Sequence, residues 1–189
     1  MATVLVTGGT GYIGSHTVVE LQEAGFEVVI IDNFSNSNRE VLDGIASITG
    51  KKPMFEEVDL RDRKATYGVF EKYPGIGAIV HFAAFKAVGE SVEKPLAYYE
   101  NNLLSLIHLL EAMKRYGVNN FLFSSSCTVY GEPEQLPVTE DAPVKKASSP
   151  YGNTKQISEE ILQDAMVPNP EFRVICLRYF NPIGAHPSA

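Results

Sequence analysis

The chain has 189 residues, a formal net charge of -7, and an ordinary balance of 44% apolar and 21% charged residues. The negative charge argues against nucleic acid or an anionic membrane as the main partner, and no apolar run approaches the ~20 residues that a membrane helix needs. These properties predict one globular domain over residues 1–189. The absence of a basic and apolar leader at the N-terminus favours a cytoplasmic location.

Short β-branched runs alternate with longer helical patterns along the chain. We predict strands at 4–7, 27–32, 54–58, 78–82, 120–124 and 173–179, and helices at 13–24, 39–48, 64–73, 95–115 and 150–165. Near-continuous apolar strands are typical of a parallel sheet that is covered on both faces. The alternation therefore predicts an α/β fold, a Rossmann-like doubly wound parallel sheet. Residues 131–149 are rich in Pro, Glu and Lys and should form a surface loop.

The first predicted strand runs into a glycine-rich turn that opens the first helix. Gly9, Gly11 and Gly14 form a G-x-G-x-x-G pattern, and Gly8 adds an overlapping G-x-x-G-x-x-G frame. Between a strand and a helix, such glycines permit a tight turn and let the backbone approach a pyrophosphate at the helix N-terminus. The turn therefore predicts a dinucleotide site.

The second predicted strand ends at Asp32, 18 residues after Gly14. A carboxylate at this position accepts hydrogen bonds from adenosine ribose hydroxyls and repels a 2′-phosphate. The pattern therefore favours NAD over NADP, while Arg39 downstream leaves NADP open.

The last predicted helix begins at Ser149-Pro150 and carries Tyr151 and Lys155 one turn apart. Pro suits the first helical position, and the serine hydroxyl can cap free N–H groups. An ammonium beside a phenol favours the phenolate, so we expect the pKa of Tyr151 to fall from roughly 10 toward neutral pH. Tyr151 is thus a candidate general base, although the same spacing also arises by chance on amphipathic surface helices.

Small, acidic or hydroxyl residues follow the carboxyl end of every predicted strand. In a doubly wound sheet these ends line one crevice, in which the ligand binds. We therefore expect Ser126 and Tyr151 to meet there. The residues at the strand ends are Gly8, Asp32, Asp59, Ala83-Ala84, Ser124–Ser126 and Tyr179–Asn181.

The cysteines and histidines suggest no further chemistry. Cys127 and Cys176 lie in separate apolar runs, so we expect buried free thiols in a reducing compartment. No metal site is predicted, because the four histidines lack metal-ligand spacing: His16, His81, His108 and His186.

Taken together, these features resemble the extended short-chain dehydrogenase/reductase family. The similarity is carried by long blocks, Thr7–Thr17, His81–Ser91, Phe123–Gly131 and Arg178–Pro187, and is greatest to the nucleotide-sugar 4-epimerases of that family. The resemblance implies an NAD-dependent interconversion of UDP-glucose and UDP-galactose through a 4-keto intermediate, a step of galactose metabolism.

The resemblance also implies a role for each matching residue. Tyr151 would be the base, Lys155 its activator, and Ser126 would hydrogen-bond the reacting hydroxyl. The UDP-sugar would be contacted by Lys86, Ser126, Tyr151 and Asn181. NAD would be bound by Gly8, Gly11, Tyr12, Ile13, Gly14, Asp32, Asn33, Asn36, Ser37, Asp59, Leu60, Phe82, Ala83, Ala84, Lys86, Asn101, Ser124, Tyr151, Lys155 and Tyr179.

Three alternatives bear on this interpretation. Dehydratases of the family need an Asp-Glu pair just before Val-Tyr-Gly, and Cys127-Thr128 at these positions disfavour dehydration. As a second alternative, decarboxylases and other sugar epimerases of the family stay open. Family members also carry a C-terminal substrate domain, which the resemblance implies is missing from residues 1–189. The chain alone would then be an NAD-binding module with little or no turnover. The long helix at 95–115 leaves apolar surface for a possible homodimer.

Overall fold

The computed structural model describes residues 3–187, and these fold around a single six-stranded parallel sheet. The strands are β1 (Thr3–Thr7), β2 (Glu27–Asp32), β3 (Met54–Glu57), β4 (Ile76–His81), β5 (Asn120–Ser126) and β6 (Arg173–Tyr179). The helices are α1 (Tyr12–Glu23), α2 (Glu40–Thr49), α3 (Arg63–Lys72), α4 (Val88–Glu93), α5 (Pro95–Tyr116) and α6 (Pro150–Met166).

The strand order is β3-β2-β1-β4-β5-β6, so the order reverses on either side of β1. β1 pairs with β2 along one edge and with β4 along the other, both in parallel. In an open α/β sheet, ligands bind outside the carboxyl ends of the strands at such a reversal. The predicted doubly wound topology is confirmed, and it locates a ligand crevice between the ends of β1 and β4.

Two apolar cores lie on opposite faces of the sheet. Leu5 joins the core that α3, α5 and α6 cover, whereas its neighbours Val4 and Val6 join the core beneath α1 and α2. Side chains alternate between the faces of a strand, so an uninterrupted apolar strand can supply both cores. This confirms the two-sided coverage predicted for the central strands.

Coverage is incomplete at β6, the edge strand next to β5. The side chain of Ile175 is 58% exposed, and Cys176 is exposed rather than buried as predicted. An edge strand has a neighbour on one side only, and a groove of about 620 Å³ runs between β6, α6 and the loop after Gly131. The apolar character of β6 alone could not show that this face is open.

Two short elements were not predicted from the sequence. The six-residue helix α4 has no side-chain cap, and a single 3₁₀ turn covers Cys127–Tyr130. Neither segment is long enough to show helical periodicity, which requires a window of roughly 11 residues. Within residues 3–187, no helix is both long and apolar enough to cross a membrane.

Candidate active site

The glycine turn has no room for side chains where it folds back on itself. Gly8 has a φ of +67°, and a Cβ on it would lie 2.7 Å from the main-chain nitrogen of Ala83. A Cβ on Gly14 would lie 2.1 Å from the carbonyl oxygen of Gly8. Helix α1 begins directly after Gly11 without a side-chain cap, so no capping side chain occupies the first N–H groups of the helix. The turn therefore fits a pyrophosphate.

Asp32, at the end of β2, is hydrogen-bonded to the glycine turn. Its Oδ2 accepts from the main-chain nitrogen of Thr10 at 3.2 Å. Its Oδ1 accepts from the main-chain nitrogen of Phe34 at 2.9 Å and from the Ser37 hydroxyl at 3.3 Å. The carboxylate is half-buried and held in place from three sides, as expected for a group that selects a ribose.

The loop after β3 lies beside the Asp32 loop. The Asn33 side chain hydrogen-bonds to Asp59, whose carboxylate also pairs with Arg61 at 2.6 Å. The hydrogen bond from Arg61 holds the pKa of Asp59 below its usual value. Leu60 is buried, and its carbonyl oxygen bonds to the ring of His108 at 2.8 Å. Asn36, predicted to flank the ribose, is exposed on the neighbouring loop.

Arg39 is the residue that kept NADP binding open in the sequence analysis. In the structure its guanidinium already has partners. Its guanidinium pairs with Glu57 at 2.5 Å and lies 5.3 Å from the ring centroid of Phe34 and 5.6 Å from that of Phe55. A guanidinium held by a carboxylate and two aromatic faces is less available to a 2′-phosphate. This arrangement supports the preference for NAD.

The segment after β4 is fastened to β1 and α5. The main-chain nitrogens of Phe82 and Ala83 donate to the carbonyl and the hydroxyl oxygen of Thr7, at 3.0 and 3.3 Å. Farther along, the buried amide of Asn102 accepts from the nitrogen of Phe85 at 2.8 Å and donates to its carbonyl at 3.0 Å. Ala84 is half-buried between these contacts, and Lys86 beyond them is exposed.

Ser126 and Tyr151 meet although they belong to different elements. Ser126 is the last residue of β5, and its hydroxyl hydrogen-bonds to the phenol of Tyr151. Tyr151 follows the start of α6, where Ser149 caps the helix by accepting from the nitrogen of Gly152 at 3.1 Å. The predicted Ser-Pro helix start is confirmed, and it brings the phenol to the end of β5.

Lys155 lies one turn beyond Tyr151 and is buried. Its ammonium donates to the carbonyl oxygen of Ser124 at 2.7 Å and lies 4.7 Å from the ring centroid of Phe123 and 5.9 Å from that of Tyr151. Burial lowers the pKa of Lys155 to about 8, and the charge of Glu159 opposes this shift.

The expected fall in the pKa of Tyr151 is wrong for this structure. Burial raises the pKa of Tyr151 and outweighs the lowering by the hydrogen bond from Ser126. The physical reason is that the ammonium of Lys155 is directed at Ser124, while the phenol itself is largely buried. Sequence spacing indicates that the two side chains are neighbours but does not show where the ammonium points.

The segment after β6 reaches helix α1 beside the glycine turn. Tyr179 pairs with Ser126 in the β5–β6 register, so the two residues lie side by side. The hydroxyl of Tyr12, in the first turn of α1, donates to the carbonyl of Gly184 at 2.6 Å. Asn181 is exposed in this segment. Ile13 follows Tyr12 in α1, and Asn101 donates to Asn102 at 3.0 Å in α5.

Three residues that have structural roles at the site were assigned no role in the sequence analysis. Thr7 fastens the start of the segment after β4, and its hydroxyl is 2.6 Å from the buried ring of His81. Asn102 joins the same segment to Thr154 of α6 at 3.0 Å. Glu159 is buried beside Lys155. Only Glu159 had a detectable signal, because it continues the one-turn spacing of Tyr151 and Lys155. Within residues 3–187, no group of three or more potential ligands is placed to hold a metal ion.

The fold and the glycine turn define a dinucleotide-binding protein of the Rossmann type. Residues 4–189 match the model of the NAD dependent epimerase/dehydratase family, so the chain belongs to that family. The resemblance seen in the sequence is thereby confirmed.

Relatives and solved structures within this family are highly similar to the chain. It is 55% identical over 185 residues to the UDP-glucose 4-epimerase of Bacillus subtilis (strain 168), covering 98% of the chain and 54% of that protein. It is 50% identical to UDP-glucose 4-epimerase 2 of Arabidopsis thaliana, covering 98% of the chain and 53% of that protein. The chain thus spans about half the length of the curated relatives it matches.

Its fold is also similar to that of a solved structure, the UDP-glucose 4-epimerase from Bifidobacterium longum in complex with NAD+ and UDP. The TM-score is 0.97 at 46% identity, covering 99% of this chain and 56% of that chain.

Proposed function

We propose that residues 1–189 form an NAD-binding domain with the catalytic residues of a UDP-glucose 4-epimerase. The observation that carries the proposal is the contact between Ser126 and Tyr151, with Lys155 one helical turn away. This contact lies at the carboxyl ends of the strands, as does the glycine turn. Identity of 55% to an epimerase of that name supports the same conclusion.

The cofactor site is proposed on residues whose arrangement fits NAD. The turn at Gly8 and Gly14 would hold the pyrophosphate, and Asp32 the adenosine ribose. Asp59 and Leu60 would border the adenine. Asn33, Asn36, Ser37, Phe82, Ala83, Ala84, Lys86, Asn101, Ser124 and Tyr179 would line the remainder. When bound, NAD would supply hydride acceptance from C4 of the sugar and hydride return to its other face.

In this proposal Tyr151 removes the proton from the sugar 4-hydroxyl and later returns it. Ser126 would hydrogen-bond the same hydroxyl, while Lys86 and Asn181 would contact the nucleotide sugar. A phenol whose pKa is raised stays protonated at neutral pH, so Tyr151 needs a neighbouring cation before it can act as a base. Lys155 would supply that cation when its ammonium, which donates to the Ser124 carbonyl in this structure, turns toward the phenol.

Cys127 and Thr128 argue against dehydration, because neither is a carboxylic acid that could protonate a leaving hydroxyl. The 3₁₀ turn places them directly after Ser126, at the position where a dehydratase would need its acids. Epimerisation therefore fits the residues better.

A second candidate is NAD binding without turnover. It is favoured by the exposure of Asn181 and by Ile183, which is 95% exposed, since a substrate contact needs this segment to be enclosed. Epimerisation of another UDP-sugar is also consistent with the fold, because a UDP-Glc/GlcNAc 4-epimerase from Campylobacter jejuni matches with a TM-score of 0.90.

The test combines NAD titration of the purified chain with an assay of UDP-glucose formation from UDP-galactose. We expect NAD binding, and we expect any turnover to fall at least ~100-fold in Tyr151→Phe with NAD affinity retained. Binding without turnover supports the second candidate. Absence of NAD binding contradicts both, and full activity of Tyr151→Phe contradicts the assignment of the base.

The same proposal extends to the cellular location of the chain, its metabolic pathway and its assembly. Cys127 and Cys176 are free, which supports the cytoplasm and, with it, galactose metabolism. Val88, Val92 and Leu96 are exposed along α4 and the start of α5, which supports a homodimer through these helices. Light scattering checks the dimer: Leu96→Lys should shift a dimeric chain toward the monomer.

A further inference from the structure

Glu159 is a buried carboxylate to which the proposed mechanism assigns no role. It lies on α6, one turn after Lys155 and two turns after Tyr151, and is 8% exposed. Its Oε1 accepts from the hydroxyl of Ser125 at 2.5 Å and from Nε of Arg178 at 3.0 Å. Its Oε2 accepts from Nη2 of Arg178 at 2.7 Å. One carboxylate thus joins α6 to both β5 and β6.

These contacts hold the strand end on which the candidate base depends. Ser125 lies between Ser124, whose carbonyl accepts from Lys155, and Ser126, whose hydroxyl bonds to Tyr151. Anchoring the side chain of Ser125 therefore fixes its two neighbours in the chain, of which one contacts Lys155 and the other Tyr151.

The contact with β6 acts in the same way. Arg178 pairs with Ser125 in the β5–β6 register and precedes Tyr179. Its guanidinium also lies 4.8 Å from the ring centroid of Tyr130. A bidentate pair of arginine and carboxylate has a fixed geometry, so it sets the position of β6 relative to α6.

Glu159 is also the acidic group that acts on Lys155. Around the ammonium, β4 contributes the ring of His81, β5 contributes Phe123 and the Ser124 carbonyl, and α6 itself contributes Tyr151 and Glu159. Burial lowers the pKa of His81 to about 3, so this ring is neutral and offers no counter-charge. Burial favours loss of the proton from Lys155, and the charge of Glu159 opposes that loss.

We propose that Glu159 is a positioning residue of the candidate active site, which orders Ser124–Ser126 through Ser125 and Arg178 and which, one turn from Lys155 on α6, is the counter-charge of its ammonium. The inference rests on the proposed function, because Glu159 acts through Lys155 and Tyr151. The Glu159 carboxylate acts through its hydrogen bonds and through its charge, and these two effects can be measured independently.

The test follows the titration of Lys155 in the intact chain by NMR of ¹³C-labelled lysine, with Lys155→Met used to assign the signal. In the unsubstituted chain we expect a midpoint of about 8. In Glu159→Gln the midpoint should fall, by about one pH unit or roughly tenfold in the ratio of ammonium to amine. Ser125→Ala removes a hydrogen bond but no charge, so the Lys155 midpoint should stay near that of the unsubstituted chain. Glu159→Asp keeps the charge, so its midpoint should lie closer to that of the unsubstituted chain than the midpoint of Glu159→Gln does.

A midpoint that is the same in Glu159→Gln and in the unsubstituted chain would overturn the proposal. Glu159→Gln leaves a cation without its partner and can therefore disturb folding. The paired variant Glu159→Gln/Arg178→Met has no unpaired buried charge, and its midpoint should also fall. Since the titration is measured without substrate or turnover, it decides the role of Glu159 even if the epimerase assay fails.

Discussion

The ammonium of Lys155 donates to the carbonyl oxygen of Ser124 at 2.7 Å rather than to the phenol of Tyr151, whose ring centroid is 5.9 Å away. The lysine is thus held on the end of β5, adjacent to its proposed target. A buried cation with a single main-chain partner lowers the stability of the fold, because burial disfavours its charged form.

Replacing Lys155 with methionine should therefore stabilise the chain. The pKa of Lys155 is about 8 in the folded chain against an ordinary 10.5. Between these values the unfolded chain holds a proton that the folded chain has lost, so stability rises with pH in this window. Near pH 7, Lys155→Met should be more stable by about 3 kcal/mol. The advantage should disappear above about pH 10.5, where the lysine is neutral in both states.

Urea unfolding at pH 7 and at pH 10.5 measures this difference. Lys114, exposed in the last turn of α5, provides the matched control, and Lys114→Met should change stability by less than about 0.5 kcal/mol. A Lys155→Met chain that is less stable than the unsubstituted chain at pH 7 contradicts the prediction.

His81 should make the chain sensitive to acid. Its ring is buried beside the Thr7 hydroxyl at 2.6 Å, and burial lowers its pKa to about 3 from an ordinary 6.5. Between these values only the unfolded chain binds a proton on His81, so stability falls as the pH drops, by about 1.4 kcal/mol per unit. His81→Asn should show a shallower loss between pH 6.5 and pH 4, measured by urea unfolding. If the free energy of unfolding falls equally with pH in the two chains, His81 is not the cause.

Gly14→Ala should damage the cofactor site because its Cβ would lie 2.1 Å from the carbonyl oxygen of Gly8. We expect a loss of about 1–3 kcal/mol in stability and at least tenfold weaker NAD binding. Gly44, in α2, has open space around it, with nothing within 4 Å of the point that a Cβ would occupy. Gly44→Ala should therefore raise stability by about 0.5–1 kcal/mol and leave NAD affinity unchanged. Calorimetric titration of both variants tests the contrast, and equal affinities would refute it.

Asp32 and Glu57 should together determine which dinucleotide binds. Asp32→Ala removes the proposed hydrogen-bond acceptor for the ribose, so NAD affinity should fall about tenfold. The preference for NAD over NADP should become smaller. Adding Glu57→Gln releases Arg39 from its ion pair at 2.5 Å, so the double variant should bind NADP more tightly than Asp32→Ala does. Competitive titration with the two dinucleotides measures both steps. Unchanged NADP affinity in the double variant would show that Arg39 does not reach the phosphate.

Much of this architecture could be predicted from local patterns. The central strands are continuous apolar runs, the glycine turn has a fixed spacing, and Ser149-Pro150 marks the start of α6. Each of these signals lies within a few residues of the structure that it predicts, which explains why the doubly wound fold, the glycine turn and the start of α6 were predicted correctly.

Other features depend on contacts that no local pattern records. The direction of the Lys155 ammonium is set by the Ser124 carbonyl on another strand, and the exposure of Cys176 by what lies over β6. The role of Asn102 depends on Phe85 and Thr154, which come from two different parts of the chain. Long-range contacts of this kind decide protonation and positioning, and for that reason the pKa of Tyr151 was predicted with the wrong sign.

The position of β1 in the middle of the sheet has a consequence for how the chain is made. β1 is synthesised before the other five strands of the sheet, yet its second neighbour, β4, begins only at Ile76. Until then one edge of β1 has no partner, and an unpaired edge can join strands of other chains. The glycine turn is synthesised early, but the crevice beside it can form only after β4 has been inserted. A nascent chain is therefore most exposed to misassembly before β4 emerges, and cofactor can protect it only afterwards.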